Sequence, residues 1–516
     1  MIKNIVIVGG GAAGWLTAGI IAADYAKTES KYIRVTLVES PDISTIGVGE
    51  GTWPTMRTTL RRIGLSETDF IRFCNASFKQ GSKFVGWKSG EVGDNYYHPF
   101  TIPLGYSDAD FHEIWQQSYS ELSYDRTANI QADVSDSSLA PKTIAMPEFG
   151  GALNYGYHLD AGKFGELLKE HCTRKLGVTY VSDNVVDVNT ADSGLILSVQ
   201  TKVNGNLSGD LFIDCSGTHC LLLGKHYKVG FKDCSRYSAN DAALAIQVPY
   251  PEENFPIASA TIATAQSSGW TWDIGLSSRR GMGYVYSSAH ISDDAAEQEL
   301  RQHVSKSVGE DVAGSLSSRK IPIRAGHREK FWHKNCVAIG MAAGFIEPLE
   351  ASALALVELS ASYIRDELPM NLESLPIVEK RFNRLFSYRW QKIIDFLKLH
   401  YVISGRRDTE YWQDMTRTES IPDSLQELLE LWKCRAPIDN DFEQSLEVFP
   451  SASYQYVLYG MGYPTQTGFK KVEENQQRNI VRAIQNDLSE RHRFMKGLPT
   501  NRDLLNKLKQ HAFQKI

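Results

Sequence analysis

Gly9, Gly11 and Gly14 stand in G-x-G-x-x-G spacing directly after Ile5-Val6-Ile7-Val8, with Ala12 and Ala13 between the last two glycines. That spacing suits a phosphate cradle. The first glycine permits a tight turn, the second lets backbone approach a pyrophosphate, and the third lets helix and strand pack closely. The N-terminus of the helix that follows would face the phosphates. Glu39 closes the next apolar stretch, where an acid can hydrogen-bond a ribose hydroxyl. Dinucleotide binding is the chemistry these residues fit; a glycine-rich turn without a ligand is the alternative. A second feature is SSGWTWDIGL (267–276), with Trp270 and Trp272 one residue apart. On a strand both indoles point to one face and make a wall. Taken alone, the pair equally suits the core of a sheet, because large aromatics are usually buried.

The elements that must position these residues can be read outward from them. The β-branched run 5–8 suits a buried parallel strand. Residues 15–27 read as a helix and 32–39 as the next strand. A glycine-rich loop, GVGEGTWP (47–54), follows closely and could run along a flavin. LFIDCSG (211–217) and NCVAIGMAAGF (335–345) are apolar strands running into small-residue turns. Late strand-and-turn units of this kind suit a long ligand such as FAD, which touches a fold at both ends. No second G-x-G-x-x-G offers an NAD(P)H site. Residues 82–150 are rich in Tyr, His, Trp and Pro, without long helical periodicity. From residue 360 onward RFNRLFSYRWQKIIDFLKLHYVI, DSLQELLELWKC and NQQRNIVRAIQNDLSERHRFMKGL carry helical spacing. No repeat or low-complexity linker divides the chain, so one continuous body is expected.

Composition bounds the class. The 516 residues are 42% apolar, enough for a large core split into more than one packed unit. A net charge of −6 without a basic block argues against nucleic acid. The seven cysteines (Cys74, Cys172, Cys215, Cys220, Cys234, Cys336 and Cys434) are scattered, without CxxC pairs or zinc spacing. They read as reduced thiols of a cytoplasmic protein, and no metal site is expected. The apolar start is broken by glycines at 9, 10, 11 and 14, so it does not read as a signal peptide. No stretch is long and apolar enough to span a membrane.

Taken in order, GGGAAGW (9–15), GVGEGTWP, FKQG (78–81), WTWDI (270–274) and GFIEPLE (344–350) resemble flavin-dependent tryptophan halogenases. The similarity extends to YHLDAGKF (157–164), DFLKLHY (395–401) and RRDTEYW (406–412). The resemblance implies an α/β fold: an FAD-binding Rossmann-like architecture of the glutathione-reductase and flavin-monooxygenase type. It implies an FAD-binding domain over 1–360, with an inserted pocket segment at 82–150 and a sheet segment at 220–330. A mostly helical region, 361–516, would pack over the substrate side. The implied activity uses reduced FAD, dioxygen and chloride or bromide to make hypohalous acid, which an internal channel carries to an electron-rich aromatic. A separate NAD(P)H-dependent reductase would supply the reduced flavin by diffusion, and a homodimer is compatible with all of this.

Residue by residue, the resemblance assigns cofactor contacts to Gly9, Gly11, Ala12, Ala13, Gly14, Glu39, Gly49, Glu50, Asp214, Gly217, Met341 and Leu354. Lys79 would deliver the halogen, by hydrogen-bonding hypohalous acid or through a haloamine. Glu350, with Glu347 as its rival, would polarise the oxidant or accept the ring proton. As plain structure, the two glutamates would be first-turn acids of the helix ASALALVELSASYI, a place compatible with the catalytic role. Ser352 and Ala353 would hold the halide, His98 and Phe100 of YYHPF would sandwich the substrate, and Trp270 and Trp272 would screen the flavin. Three departures stand out. Gly275 replaces a proline, Ala351 and Ala353 replace a serine and a glycine, and 447–463 lacks the Phe-Trp pair that grips free tryptophan. A flavin monooxygenase that oxygenates its substrate directly, and a non-catalytic flavin-binding protein, are the alternatives.

Overall fold

A computed structural model describes residues 2–515 except 27–32, 44–48, 107–110, 369–372 and 467–473. Tyr32 of the expected second strand, and Gly47 and Val48 of the glycine-rich loop, lie outside the described residues. The chain divides into two compact units, each assembled from three separate segments.

The first unit comprises 1–76, 159–234 and 324–390. Its centre is the strand Asn4–Val8, in which residues 5–8 are all buried. It pairs in parallel with Arg34–Glu39 on one side and Leu211–Asp214 on the other. Thr179–Ser182 and Cys336–Ala338 extend the parallel sheet, and Trp332–His333 closes one edge antiparallel. Strands covered on both faces need apolar side chains throughout, which is why they read as unbroken hydrophobic runs. Helix Ala12–Ala26 follows the first strand and packs against Ala161–Lys175 and Ser352–Glu367. This is the expected Rossmann-like α/β fold.

The second unit comprises 77–158, 235–323 and 391–516. Its seven-stranded sheet runs Ser318–Pro322, Ala242–Val248, Arg280–Tyr286, Gly269–Gly275, Thr261–Ala265, Gly81–Val85, Asn95–Pro99. All neighbours are antiparallel except Gly81–Val85 and Thr261–Ala265, which are parallel. Ala242, Leu244, Ile246, Tyr284 and Tyr286 pack on Leu300 and Val304 of helix Asp293–Val308. The helical stretches read from the sequence appear as Leu375–Val402, Asp423–Cys434 and Glu474–Lys496. Ser451–Gly460 and Asn501–Leu508 are helical as well.

Candidate active site

In the first unit, the glycine spacing is built as its sterics require. Gly9 has φ +118°, and a Cβ there would lie 2.2 Å from the Cys215 carbonyl oxygen. A Cβ on Gly14 would lie 1.9 Å from the Gly9 carbonyl oxygen. These two glycines bring the first helix onto the sheet. Gly11 differs: a Cβ there meets nothing within 4 Å, and the residue is exposed. The cradle is therefore closed at Gly9 and Gly14 and open at Gly11, where a pyrophosphate needs room. Ala12 and Ala13 open the helix that follows. A Cβ on Gly340 would touch Ala13 at 2.8 Å, so the turn bearing Met341 sits against the start of this helix.

Glu39 ends its strand as expected, and its carboxylate pairs with Lys169 at 2.8 Å. The Lys169 ammonium also lies 3.9 Å from the Tyr180 ring centroid. Asp214 is buried and caps the segment after it, accepting from the Leu222 and Leu223 N–H groups at 2.7 and 2.9 Å. Gly217 has φ +63° with open space at its Cβ position. Gly49 is buried in a short strand, and burial pushes the neighbouring Glu50 carboxyl up to about 7. The open cradle, the acid at the strand end and the open turn at Gly217 fit an extended dinucleotide such as FAD.

The same unit carries GFIEPLE. Glu347 and Glu350 are both buried. They precede the helix rather than forming its first turn, which corrects the expectation from sequence: the helix begins at Ser352. Glu350 and Ala351 have φ of 81° and 53°, left-handed values that side chains rarely adopt. Two such residues in succession turn the chain sharply into the helix. Strain of this kind persists only where surrounding contacts impose it, and the Trp53 indole N–H supplies one by donating to the Glu350 carbonyl at 2.9 Å. No side chain caps the helix start. Ser352 and Leu354 are buried there, and Ala353 is exposed.

In the second unit, Lys79 is only 1% exposed. It ends the strand Ser77–Lys79, which pairs antiparallel with residues 156–158. Its ammonium lies 5.4 Å from the Phe100 ring centroid. FKQG explains that proximity. Gly81 has φ +148°, and a Cβ there would lie 2.3 Å from the His98 carbonyl oxygen and 2.7 Å from Pro99 Cα. Glycine lets the strand Asn95–Pro99 pass directly beside the lysine segment, and Phe100 N–H then donates to the Gln80 carbonyl at 3.1 Å. His98 is buried, with Nε2 2.9 Å from Ser453 Oγ, and its ring meets Phe396 at 5.7 Å.

The strand Gly269–Gly275 holds Trp270 and Trp272 on one face, 2% and 8% exposed, with centroids 6.4 Å apart. Trp272 lies across Gly283 of the next strand, where a Cβ would come within 2.1 Å of the indole. Trp270 meets Trp87, which meets Trp412. RRDTEYW braces the adjoining turn: Trp412 Nε1 donates to the Gln266 carbonyl at 2.9 Å and Thr409 Oγ1 to the Ser267 carbonyl at 2.7 Å. At Gly275, a Cβ would crowd Ile257 at 3.0 Å and the Tyr250 hydroxyl at 3.2 Å, so the position has little room for a larger residue.

The tryptophan halogenase family model matches residues 4–476. The chain belongs to the tryptophan halogenase family. It is 33% identical over 480 residues to tryptophan 6-halogenase SttH of Streptomyces toxytricini, across 89% of each chain. It is 31% identical over 491 residues to tryptophan 7-halogenase RebH of Lentzea aerocolonigenes, across 89% of this chain and 90% of that one. The crystal structure of a tryptophan halogenase from Shewanella frigidimarina NCIMB 400 is similar with a TM-score of 0.97. Identity to it is 47%, over 100% of this chain and 99% of that one. The chain is thus a flavin-dependent halogenase, a family whose members use FAD and halide together with a separate flavin reductase. No helix among its described residues is long and apolar enough to cross a membrane.

Several residues that contact the segments carrying the expected site residues have no signal in the sequence. Asn501, at the start of helix Asn501–Leu508, holds both backbone groups of Phe78: its Oδ1 accepts from the Phe78 N–H at 3.4 Å and its Nδ2 donates to the carbonyl at 3.1 Å. His158, fully buried, has Nε2 2.8 Å from Thr261 Oγ1. Burial, and then the Lys79 charge, hold its pKa well below the ordinary imidazole value, so it stays neutral near neutral pH. Glu358 accepts from Thr55 Oγ1 at 3.0 Å and from Thr59 Oγ1, tying helix Thr55–Ile63 to the helix that begins at Ser352.

Burial pushes the Glu358 carboxyl up to about 7 from 4.5, against the opposing pull of the two threonine hydroxyls. Between those values the folded chain binds more protons at this site than the unfolded chain, so stability falls as pH rises through that window. Glu358→Gln removes the titration. Urea denaturation of both proteins is expected to show the difference in stability moving toward the variant by roughly 2 kcal/mol from about pH 5 to about pH 8. An unchanged difference across that range would place the titration elsewhere.

Proposed function

We propose that this halogenase replaces an aryl hydrogen of an electron-rich aromatic by halogen, with Lys79 handing on the electrophile. Bound reduced FAD supplies the two electrons that activate dioxygen toward a halide. The net change consumes one dioxygen, one halide and one proton, and releases two waters. The chain's own residues do the rest. Gly9, Gly11, Ala12, Ala13 and Gly14 would hold the pyrophosphate, and Glu39 would hold a ribose hydroxyl. Gly49, Glu50, Asp214, Gly217, Met341 and Leu354 complete the cofactor's surroundings. Ser352 and the Ala353 N–H hold the halide at the uncapped helix start, where the dipole favours an anion. Trp270 and Trp272 keep organic substrate from the flavin. His98 and Phe100 face the ring, and Glu350 takes the proton lost when aromaticity returns.

The observation that carries this reading is the burial of Lys79 beside Phe100. A lysine taken out of water can present a free amine, which either bonds hypohalous acid or becomes a haloamine. The reductase acts as a separate protein, passing flavin by diffusion in a reducing cytoplasm. That compartment accords with the free state of all seven cysteines. The deciding experiment incubates the chain with reduced FAD, bromide and a panel of indoles, followed by mass spectrometry. A two-unit bromine doublet in a product is the expected result; a single added oxygen would identify a monooxygenase instead.

A further inference from the structure

Ser77–Lys79 is a three-residue strand at the edge of its sheet, laddered with residues 156–158. A residue of an antiparallel strand turns its N–H and its C=O to the same side. Those of Phe78 turn toward Asn501, whose side-chain amide offers one acceptor and two donors. Asn501 Oδ1 accepts the Phe78 N–H at 3.4 Å, and its Nδ2 donates to the Phe78 carbonyl at 3.1 Å. One side chain thus stands where a neighbouring strand would otherwise satisfy the edge. Asn501 is itself locked. It is fully buried, and its N–H donates to the Ser138 carbonyl at 2.8 Å. Thr500 caps the helix Asn501–Leu508 by accepting the Asp503 N–H at 3.0 Å. Arg502 donates to the Phe255 and Ser277 carbonyls at 2.9 and 2.8 Å. On the other side of Lys79, the Gln80 N–H donates to the Ser259 carbonyl at 2.6 Å, and the Gln80 carbonyl accepts the Phe100 N–H. The Phe78 ring, alternating to the face opposite Lys79, meets Tyr155 and Phe513 at 5.4 and 6.4 Å.

So short a strand makes too few ladder bonds to fix its own tilt. A tilt of the backbone is magnified at the end of a lysine's four-carbon stem, and a misplacement of about 1 Å can cost about 100-fold in rate. We infer that Asn501 is a positioning residue for halogen transfer: through the Phe78 backbone, it holds the Lys79 amine where the halogen must be received and passed on. The inference rests on the reading that Lys79 hands on the electrophile. It adds to that reading a residue from the C-terminal helix that acts on the lysine's backbone and not on the reacting atoms. Without the amide, the buried N–H and C=O of Phe78 lose the partners that pay for their burial, and the strand shifts until they find others.

The test compares the full chain with Asn501→Ala, which removes the amide, and Asn501→Asp, which keeps its shape but when ionised has no donor. Thermal melting selects the variant that stays folded. Each protein receives reduced FAD and bromide with either indole or monochlorodimedone, a trap brominated by free hypohalous acid. Bromoindole is expected to form about 30-fold more slowly in the variants, with bromination of the trap at or above the wild-type rate and FAD affinity within about twofold. That split separates transfer at Lys79 from making the oxidant, and a general loosening of the fold would lower both. Bromoindole within about twofold of wild type, or an equal fall in both products, would overturn the inference. If the wild-type chain brominates neither compound, the proposed activity fails, and reductive methylation with formaldehyde and cyanoborohydride judges the inference alone. Peptide mass spectrometry then reads the rate at Lys79: a rise of at least about 10-fold in the variants supports the clamp, and an unchanged rate overturns it.

Discussion

Replacing Lys79 by alanine is expected to lower halogenated product by at least about 1,000-fold while FAD affinity stays within about twofold of wild type. The size of the effect follows from where the lysine sits. It is 1% exposed, and the residue before it is held at both backbone groups by Asn501. Removing the side chain therefore removes a placed amine that bulk solvent cannot replace. The cofactor cradle belongs to the other unit of the chain, which is why flavin binding is expected to survive. Lys79→Met keeps most of the volume and guards against a cavity effect. Lys79→Arg keeps hydrogen-bond donors but cannot offer a neutral amine. Loss of product in all three variants points to the amine itself as the carrier, whereas substantial activity in the arginine variant alone points to hydrogen-bonded hypohalous acid. Normal product from the alanine variant would remove Lys79 from the chemistry.

Gly11→Val is expected to weaken FAD binding by at least about 100-fold, about 2.7 kcal/mol, with little change in the melting of the FAD-free chain. Most glycines of the cradle cannot give so clean a result. At Gly14 a methyl would meet the Gly9 carbonyl at 1.9 Å and separate the helix from the sheet, so lost binding there would report damage to the fold. At Gly11 a Cβ meets nothing within 4 Å. A larger side chain then fills only the space a pyrophosphate would take. Equilibrium dialysis of FAD with thermal melting of the flavin-free protein separates the two effects. Wild-type affinity in the valine variant would move the pyrophosphate away from this turn.

The cradle was legible because its demands are local. Turn, helix start and strand end lie within a short run of chain, and glycine spacing states the steric rule directly. The period of apolar residues placed the long helices for the same reason. The lysine segment was legible only through resemblance to a family, because a lone lysine in a sequence does not declare burial. Glu347 and Glu350 looked like first-turn acids from their spacing to an apolar helix. The left-handed turn at Glu350 and Ala351 instead holds them ahead of it, and Trp53 contacts that turn from a distant part of the chain.

The sequence by itself determined the α/β class, the dinucleotide turn and the order of motifs that marks the family, because these depend on backbone sterics and short-range periodicity. Only the tertiary structure decided how Lys79 is buried and held, why Gly81 must be glycine, and that Glu39 meets Lys169. Asn501 lies 423 positions from the residue it clamps, and Lys169 lies 130 from Glu39. Asn501 reaches Phe78 through main-chain amides common to every sequence, and the closeness of Gly81 to His98 is a backbone approach that only chain folding creates. Burial and desolvation belong to such long-range neighbours, so they are set when the chain closes on itself.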